Sequence, residues 1–288
     1  MKELVVVSGK GGTGKTSLSA ALASLSAQKV LADCDVDASN FHLICDAVKR
    51  KVHPFSSGFE PYIVQELCSH CGNCTKVCRF EAINNGTLTS PIDCEGCGVC
   101  AFNCPNQAIR MQKKHAGHWF VSDTRLGCLV HAELGLSIEN SGKLVSKVRQ
   151  EAKKIALEQQ LSLVITDGPP GIGCPAIATL TGANLVLIVV EPSSSCIHDL
   201  KRLVELASSF NLSMSVCINK STLHPETTRK LIEWCNRYVI PIVGLIPYSP
   251  VFPYAIQAGK TVLEIPGNTD VIEPLKKIWR SVVNLLEI

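Results

Sequence analysis

The sequence predicts an α/β protein, a mostly parallel sheet covered by helices on both faces and interrupted by a small α+β module. Three observations predict it. Short runs rich in Val and Ile alternate with segments whose apolar residues recur at helical spacing, the pattern of strands buried on both faces and joined by crossover helices. That alternation stops between roughly residues 58 and 111, where Cys, Gly, Asn and Pro take over. The interrupting stretch also repeats itself: CSHCGNCTKVCRFEAI (68–83) aligns with CEGCGVCAFNCPNQAI (94–109) at a constant offset of 26 residues. The chain therefore reads as a host segment 1–57, an inserted domain 58–113 and a second host segment 114–288.

In order, LVVV (4–7) is the first buried strand, followed by a Gly-rich turn and the helix TSLSAALASLSAQ. After the insert the α/β pattern resumes at WFVSDTRLG. LSLVIT (161–166), LVLIVV (185–190), SVCI (215–218) and PIVGLI (241–246) are further strands, with LVSKVRQEAKKIALEQ and CIHDLKRLVELASSF as helices between them. The final helix, 274–287, puts Leu275, Ile278, Trp279, Val282 and Leu286 on one side and Lys276, Lys277 and Arg280 on the other. With only three basic residues flanking a Trp-centred stripe, it is expected to pack on the sheet rather than lie on a membrane.

A chain of 288 residues is long enough for a sizeable core. Its formal charge of +3 gives no basis for expecting nucleic acid as a partner. No apolar run approaches the length of a membrane span, and ELVVVS follows the N-terminus with no signal-peptide pattern, so a cytoplasmic protein is expected. Cysteine is the outlier: of 15, eight fall between Cys68 and Cys104, a density that points to metal or redox chemistry rather than disulfides.

GKGGTGKT fits the phosphate-loop pattern G-x-x-x-x-G-K-[ST], and its place between a strand and a helix is the context that pattern requires. Gly9, Gly11, Gly12 and Gly14 let successive backbone N–H groups turn toward phosphate, and the helix start adds a favourable field. Lys10, Gly11, Gly12 and Thr13 form the body of the loop. Lys15 would meet the β- and γ-phosphates of ATP, with Thr16, next to Ser17, offering a hydroxyl to Mg²⁺. Lys10 lies outside the minimal pattern; on its own it could face its own nucleotide, solvent or a second molecule.

KGGTGKT resembles the deviant phosphate loop of the MinD/ParA family, which includes the nitrogenase iron protein. The resemblance implies that Lys10 reaches across a dimer to the partner's ATP, much as an arginine finger does. It also implies that DCDVDASN is the first switch, with Asp35 handling the attacking water and Asp33 nearby. VITDGPPGIG is then the second switch, its Asp167 facing Mg²⁺ and its Gly168 and Gly171 free to move. Asn219 in CINK and Pro247 in IPYSP would border the adenine.

Cys68-x₂-Cys71-x₂-Cys74-x₃-Cys78 and Cys94-x₂-Cys97-x₂-Cys100-x₃-Cys104-Pro105 have the spacing of bacterial two-cluster ferredoxins. Three closely spaced thiolates wrap one 4Fe–4S cluster, and the fourth lies too far along to close the same site. Cys68, Cys71, Cys74 and Cys104 would hold one cluster, and Cys94, Cys97, Cys100 and Cys78 the other. Two Cys₄ zinc sites are the alternative. Arg79 stands where the second motif has Pro105. Among the remaining cysteines, Cys34, Cys45, Cys196, Cys217 and Cys235 read as small buried residues. Cys174, just past the second switch, and Cys128 are candidates for a cluster shared between subunits, as in the nitrogenase iron protein.

Together these features resemble the Mrp/MinD-type ATPases, here with an inserted ferredoxin domain. The expectation is a dimer, with itself or a paralogue, in which ATP binding and hydrolysis gate electron transfer to a redox or iron–sulfur acceptor protein. The alternative is an ATP-dependent carrier or scaffold for iron–sulfur assembly.

Overall fold

The structure, a computed structural model, describes residues 1–135 and 141–288. The strands are β1 (Lys2–Ser8), β2 (Lys29–Asp33), β3 (Val48–Ile63), β4 (Ile83–Asn84), β5 (Thr87–Leu88), β6 (Ile109–Thr124), β7 (Gly127–Leu134), β8 (Leu163–Pro170), β9 (Leu185–Val190), β10 (Met214–Ile218) and β11 (Ile242–Leu245). The α-helices are α1 (Lys15–Leu25), α2 (Phe41–Ile44), α3 (Asn73–Val77), α4 (Val99–Phe102), α5 (Ser141–Glu158), α6 (Cys174–Leu180), α7 (Cys196–Ser209), α8 (Pro225–Arg237), α9 (Val251–Gln257) and α10 (Thr269–Leu286). The chain divides into two compact units. One comprises Met1–His53, Trp119–Glu133 and Ser141–Ile288, the other Pro54–His118 with Leu134–Asn140.

The larger unit is built on a sheet of order β11-β10-β9-β1-β8-β2-β7-β6-β3. β1 pairs in parallel with β8 on one side and β9 on the other, and β2, β7, β10 and β11 extend the parallel ladder outward. Successive residues of β1 face opposite layers. Leu4 and Val6 join the core under α1 and α10, and Val5 and Val7 the core under α7 and α8. All four are fully buried, and each such side chain contributes roughly 1.5–3 kcal/mol relative to exposure. This two-sided burial is why the strands read from sequence as continuous apolar runs. The last helix packs on the sheet through Val271, Leu275, Ile278, Val282 and Leu286, all buried. It comes so close that a Cβ at Gly244 would lie 2.4 Å from Ile278 Cγ1.

Three strands were not legible as apolar runs. The part of β3 in this unit is KRKVH after Val48, largely exposed. β6 and β7 are joined by the two-residue turn Arg125–Leu126, in which the Leu126 N–H donates to Thr124 Oγ1. A buried ion network was also invisible in the sequence: Glu3 on β1 takes both arms of Arg149 on α5, at 2.8 and 2.6 Å, with Lys153 Nζ at 2.8 Å and the Thr166 hydroxyl at 2.9 Å. Every lone pair it brings out of water is answered, as a buried carboxylate requires.

The smaller unit holds the eight-cysteine repeat, with α3 and α4 each following one cysteine loop and β4–β5 as a two-stranded ribbon. Its core cluster is slight: Cys74, Ile83 and Ile109 are buried, with Ile63, Ala101 and three cysteines packed against them. The sequence repeat is also a backbone repeat. His70 and Gly96, Gly72 and Gly98, and Glu81 and Gln107, each pair 26 residues apart, share left-handed φ angles of 53 and 65°, 73 and 76°, and 52 and 51°.

Candidate functional site

The strand order changes direction at β1, so the carboxyl ends of β1, β8 and β9 flank a crevice of the kind that takes ligands in doubly wound sheets. The Gly-rich loop lies there. Gly12 and Gly14 take φ of 78 and 87°, conformations glycine adopts without strain. Open space lies over Gly11 and Gly12 where a side chain would stand. Gly14 must be glycine for a second reason: a Cβ would sit 2.3 Å from Asn219 Nδ2. The Thr13 hydroxyl is buried with no hydrogen-bond partner, a polar atom facing into a loop that ordinary packing does not satisfy.

Below the loop the charges converge. Lys15, 6% exposed, sets Nζ 3.5 Å from Asp35 and 3.6 Å from Asp167. Burial works against its charge, but the carboxylates of Asp167, Asp35 and Asp33 outweigh burial and raise its pKa. Asp167 accepts hydrogen bonds from Thr16 Oγ1 at 2.7 Å and Ser19 Oγ at 2.8 Å. Asp33 accepts from Ser39 Oγ at 2.7 Å and the backbone N–H groups of Asp35 and Phe41. Asp33 lies opposite Asp167 in the β2–β8 ladder. Burial first, then the Asp167 charge, raises Asp33 to about 7. Burial likewise raises Asp167 despite Lys15 and the two hydroxyls. A hydroxyl, an ammonium and three carboxylates around one crevice fit a divalent cation with polyphosphate better than either alone.

Lys10 is not in that cluster. Its Nζ turns aside to Glu191 Oε1 at 2.8 Å and Ser193 Oγ at 2.9 Å. Glu191 also holds Lys220 at 2.7 Å, and Lys220 in turn donates to the Gly12 carbonyl at 2.8 Å.

A family model for the CobQ/CobB/MinD/ParA nucleotide binding domain matches residues 4–262. The chain belongs to this family. An uncharacterized protein of Methanocaldococcus jannaschii is 34% identical over 282 residues, 97% of this chain and 95% of that one. The fold is similar to that of the septum site-determining protein MinD complexed with Mg-ADP from Pyrococcus horikoshii, with a TM-score of 0.59 at 16% identity, covering 99% of this chain and 96% of the other. A 56-residue stretch, 19% of this chain, is 34% identical to the pyruvate synthase subunit PorD of Methanothermobacter marburgensis and covers 69% of it.

In this CobQ/CobB/MinD/ParA member, Asn219 is 4% exposed and donates its amide to the Thr13 carbonyl at 2.7 Å, so it braces the loop. Pro247 is half-buried beyond β11. Ser17 and Thr16 open α1, both half-buried. Sequence reasoning missed Ser19, Ser39, Glu191, Ser193 and Lys220. The available signal was position: Glu191 directly follows β9 and Lys220 nearly follows β10, at the carboxyl ends where such sheets bind ligands.

In the smaller unit the cysteines line two pockets. Cys68, Cys71, Cys74 and Cys104 line one. Cys94, Cys97, Cys100 and Cys78 line the other. Gly86 keeps the first open, since a Cβ there would lie 2.5 Å from Cys68 Sγ. Burial raises the Cys100 thiol pKa. Among the described residues no three His, Cys, Asp or Glu side chains converge on a point fit for one metal ion. In the larger unit, Cys174 is exposed at the start of α6 and Cys128 is half-buried on β7, while Cys34, Cys45, Cys196, Cys217 and Cys235 are buried. Among the described residues no helix is long and apolar enough to cross a membrane.

Proposed function

We propose that the protein binds and hydrolyses ATP as a dimer, with itself or a paralogue, and that its nucleotide state governs electron transfer through two 4Fe–4S clusters to an acceptor protein. The observation that carries this reading is the crossed membership of the two pockets: Cys104 of the second repeat lines the pocket of the first, and Cys78 of the first lines that of the second. Crossed ligation is the habit of two-cluster ferredoxins. A zinc site would draw four sulfurs to about 2.3 Å from one point; three closely spaced cysteines joined by a fourth from the other repeat are instead the pattern of a polynuclear cluster. The slight core of the unit gives it reason to depend on bound metal for stability. The PorD likeness is compatible with this. When bound, such clusters carry single electrons.

The chain's own residues then divide the nucleotide chemistry. The loop N–H groups and Lys15 bind the phosphates, and Thr16 and Asp167 orient Mg²⁺. Asp35 orients water, with Asp33 behind it, and Asn219 and Pro247 border the base. Lys10 leaves Glu191 and Ser193 to meet the partner subunit's ATP. A lysine that contacts nucleotide only in the closed dimer supplies the difference in affinity that any switch needs.

The test is anaerobic reconstitution followed by redox titration with ADP, with ATP, and with ATP on a Lys15→Ala variant. An ATP-dependent shift in midpoint potential, lost in the variant, is expected; identical potentials in all three refute the gating. The carrier alternative predicts instead that iron and sulfide move to an apo-acceptor. Burial of Cys196, Cys217 and Cys235 leaves Cys174, exposed, and Cys128, half-buried, as the cysteines beyond the insert that could hold a transferable cluster.

A further inference from the structure

We infer that the two cysteine pockets are unequal electron sites: the Cys68, Cys71, Cys74 and Cys104 pocket stabilises a reduced cluster better than the Cys78, Cys94, Cys97 and Cys100 pocket, and therefore fills first. This rests on the two-cluster reading and adds an order to it.

The repeat provides an internal control. At the three paired left-handed positions the φ angles agree within about a dozen degrees, so the two cysteine loops follow a similar course. The side chains are not matched. At the 26-residue offset Ser69 becomes Glu95, His70 becomes Gly96 and Asn73 becomes Val99, and across the swap Asn106 is answered by Phe80. Each of these residues lines its own pocket. The first pocket thus meets a hydroxyl, an imidazole and two amides, and the second a carboxylate, a bare backbone and two hydrocarbon groups. His70 Nδ1 lies 3.9 Å from Cys68 Sγ while bonding the Asn85 carbonyl at 3.0 Å, a contact that Gly96 cannot make in the second pocket; backbone N–H groups bond a thiol in each pocket, Ala108 to Cys104 in the first and Ala101 to Cys100 in the second.

A cluster that accepts one electron gains one negative charge. Polar side chains and N–H donors beside the thiolates lower the energy of that charge, hydrocarbon leaves it unsolvated and a carboxylate repels it. All four substitutions push the same way. Two features oppose them: Arg79, in place of Pro105, and Glu66, where the second repeat has Ile92. These charges are exposed, as is that of Glu95, so solvent and salt screen all of them alike, and the uncharged groups beside the thiolates set the order. An electron delivered by an external one-electron reductant settles in the first pocket, and one held in the second leaves with the greater driving force.

The test uses the full chain, reconstituted anaerobically, with iron counted and the reduced states followed by electron paramagnetic resonance during titration with dithionite. Two one-electron steps are expected, separated by at least a tenfold preference, which is 59 mV for a one-electron couple. A Phe80→Asn/Val99→Asn variant, altering two surface positions 44 and 41% exposed, should raise the lower step toward the upper and leave the upper in place. Coincident steps in the unaltered protein, or a variant that moves the upper step, overturn the order while leaving two clusters standing. An iron count short of two four-iron clusters overturns the cluster reading itself, and this inference with it.

Discussion

Replacing Glu191 with Gln tests whether Lys10 is restrained within its own chain. Lys10 Nζ is held 2.8 Å from Glu191 and 2.9 Å from Ser193. Partial burial alone would raise the Glu191 pKa, but hydrogen bonds from Lys10 and Lys220 hold it below the usual carboxylate range. While so held, Lys10 cannot meet phosphate on a neighbour. The pair is partly exposed, 37% at Lys10 and 18% at Glu191, so its strength is about 0.5–1 kcal/mol. A closing dimer must release it twice, once per chain, which makes the cost of closure roughly 1–2 kcal/mol. Glu191→Gln keeps the shape and removes the charge, and should tighten the ATP-dependent dimer about 5- to 30-fold. Sedimentation velocity over a concentration series, with a non-hydrolysable ATP analogue, measures it; Lys10→Ala should abolish the dimer. A Glu191→Gln protein that associates no more tightly than its parent refutes the idea that this contact restrains Lys10.

Other outcomes follow from single contacts. Gly14→Ala puts a Cβ 2.3 Å from Asn219 Nδ2 on a backbone at φ 87°; it should cost about 1–3 kcal/mol in a denaturant titration and weaken nucleotide binding at least tenfold. Cys71→Ser alters an exposed cysteine that lines one pocket only; on the proposed two-cluster reading, reconstituted iron should fall by about half with the second cluster's spectrum kept. Burial lowers His131 to about 4, helped by His42 and Lys49. The stability it contributes is complete above its unfolded value of about 6.5 and is lost as pH falls toward 4. His131→Gln should therefore narrow the drop in urea midpoint between pH 7 and pH 4.5.

Much of this architecture was written in apolar runs and cysteine spacing. β9 coincides with LVLIVV because a strand covered on both faces has no polar side to interrupt the run. The two cysteine pockets were legible because the eight cysteines recur at a fixed spacing along the chain. What stayed hidden depends on contacts between distant residues. β3 was missed because its charged residues are exposed at an edge of the sheet, where apolarity is not required. The Lys10–Glu191 contact spans 181 positions, and a solvated lysine and a latched one look alike in a sequence. Asp33 and Asp167 could both be picked out as strand-end acids. That they lie opposite one another is a matter of strand register, which strand patterns alone do not fix.

That register has a thermodynamic consequence. Asp33 and Asp167 are each 1% exposed and stand opposite one another in the ladder of adjacent strands, with the Lys15 ammonium 3.6 Å from Asp167. Two buried carboxylates at that separation resist ionising together, which is why burial and the Asp167 charge lift Asp33 to about 7. Its folded pKa exceeds its unfolded value, and for an acid that reverses the usual sense: the folded chain binds the extra proton, and stability falls as pH rises from about 4 to 7. A divalent cation arriving with the phosphates favours both carboxylates in their charged form, so the shared proton must leave. At pH 7 binding of Mg–nucleotide should release about half a proton per chain. Calorimetry in buffers of different ionisation enthalpy reads this directly. Asp33→Asn should abolish the release and raise the urea midpoint above the parent's at pH 8, with the gap closing toward pH 4. If the Asn variant still releases the proton, or the parent releases none, the paired acids are not where the site stores it.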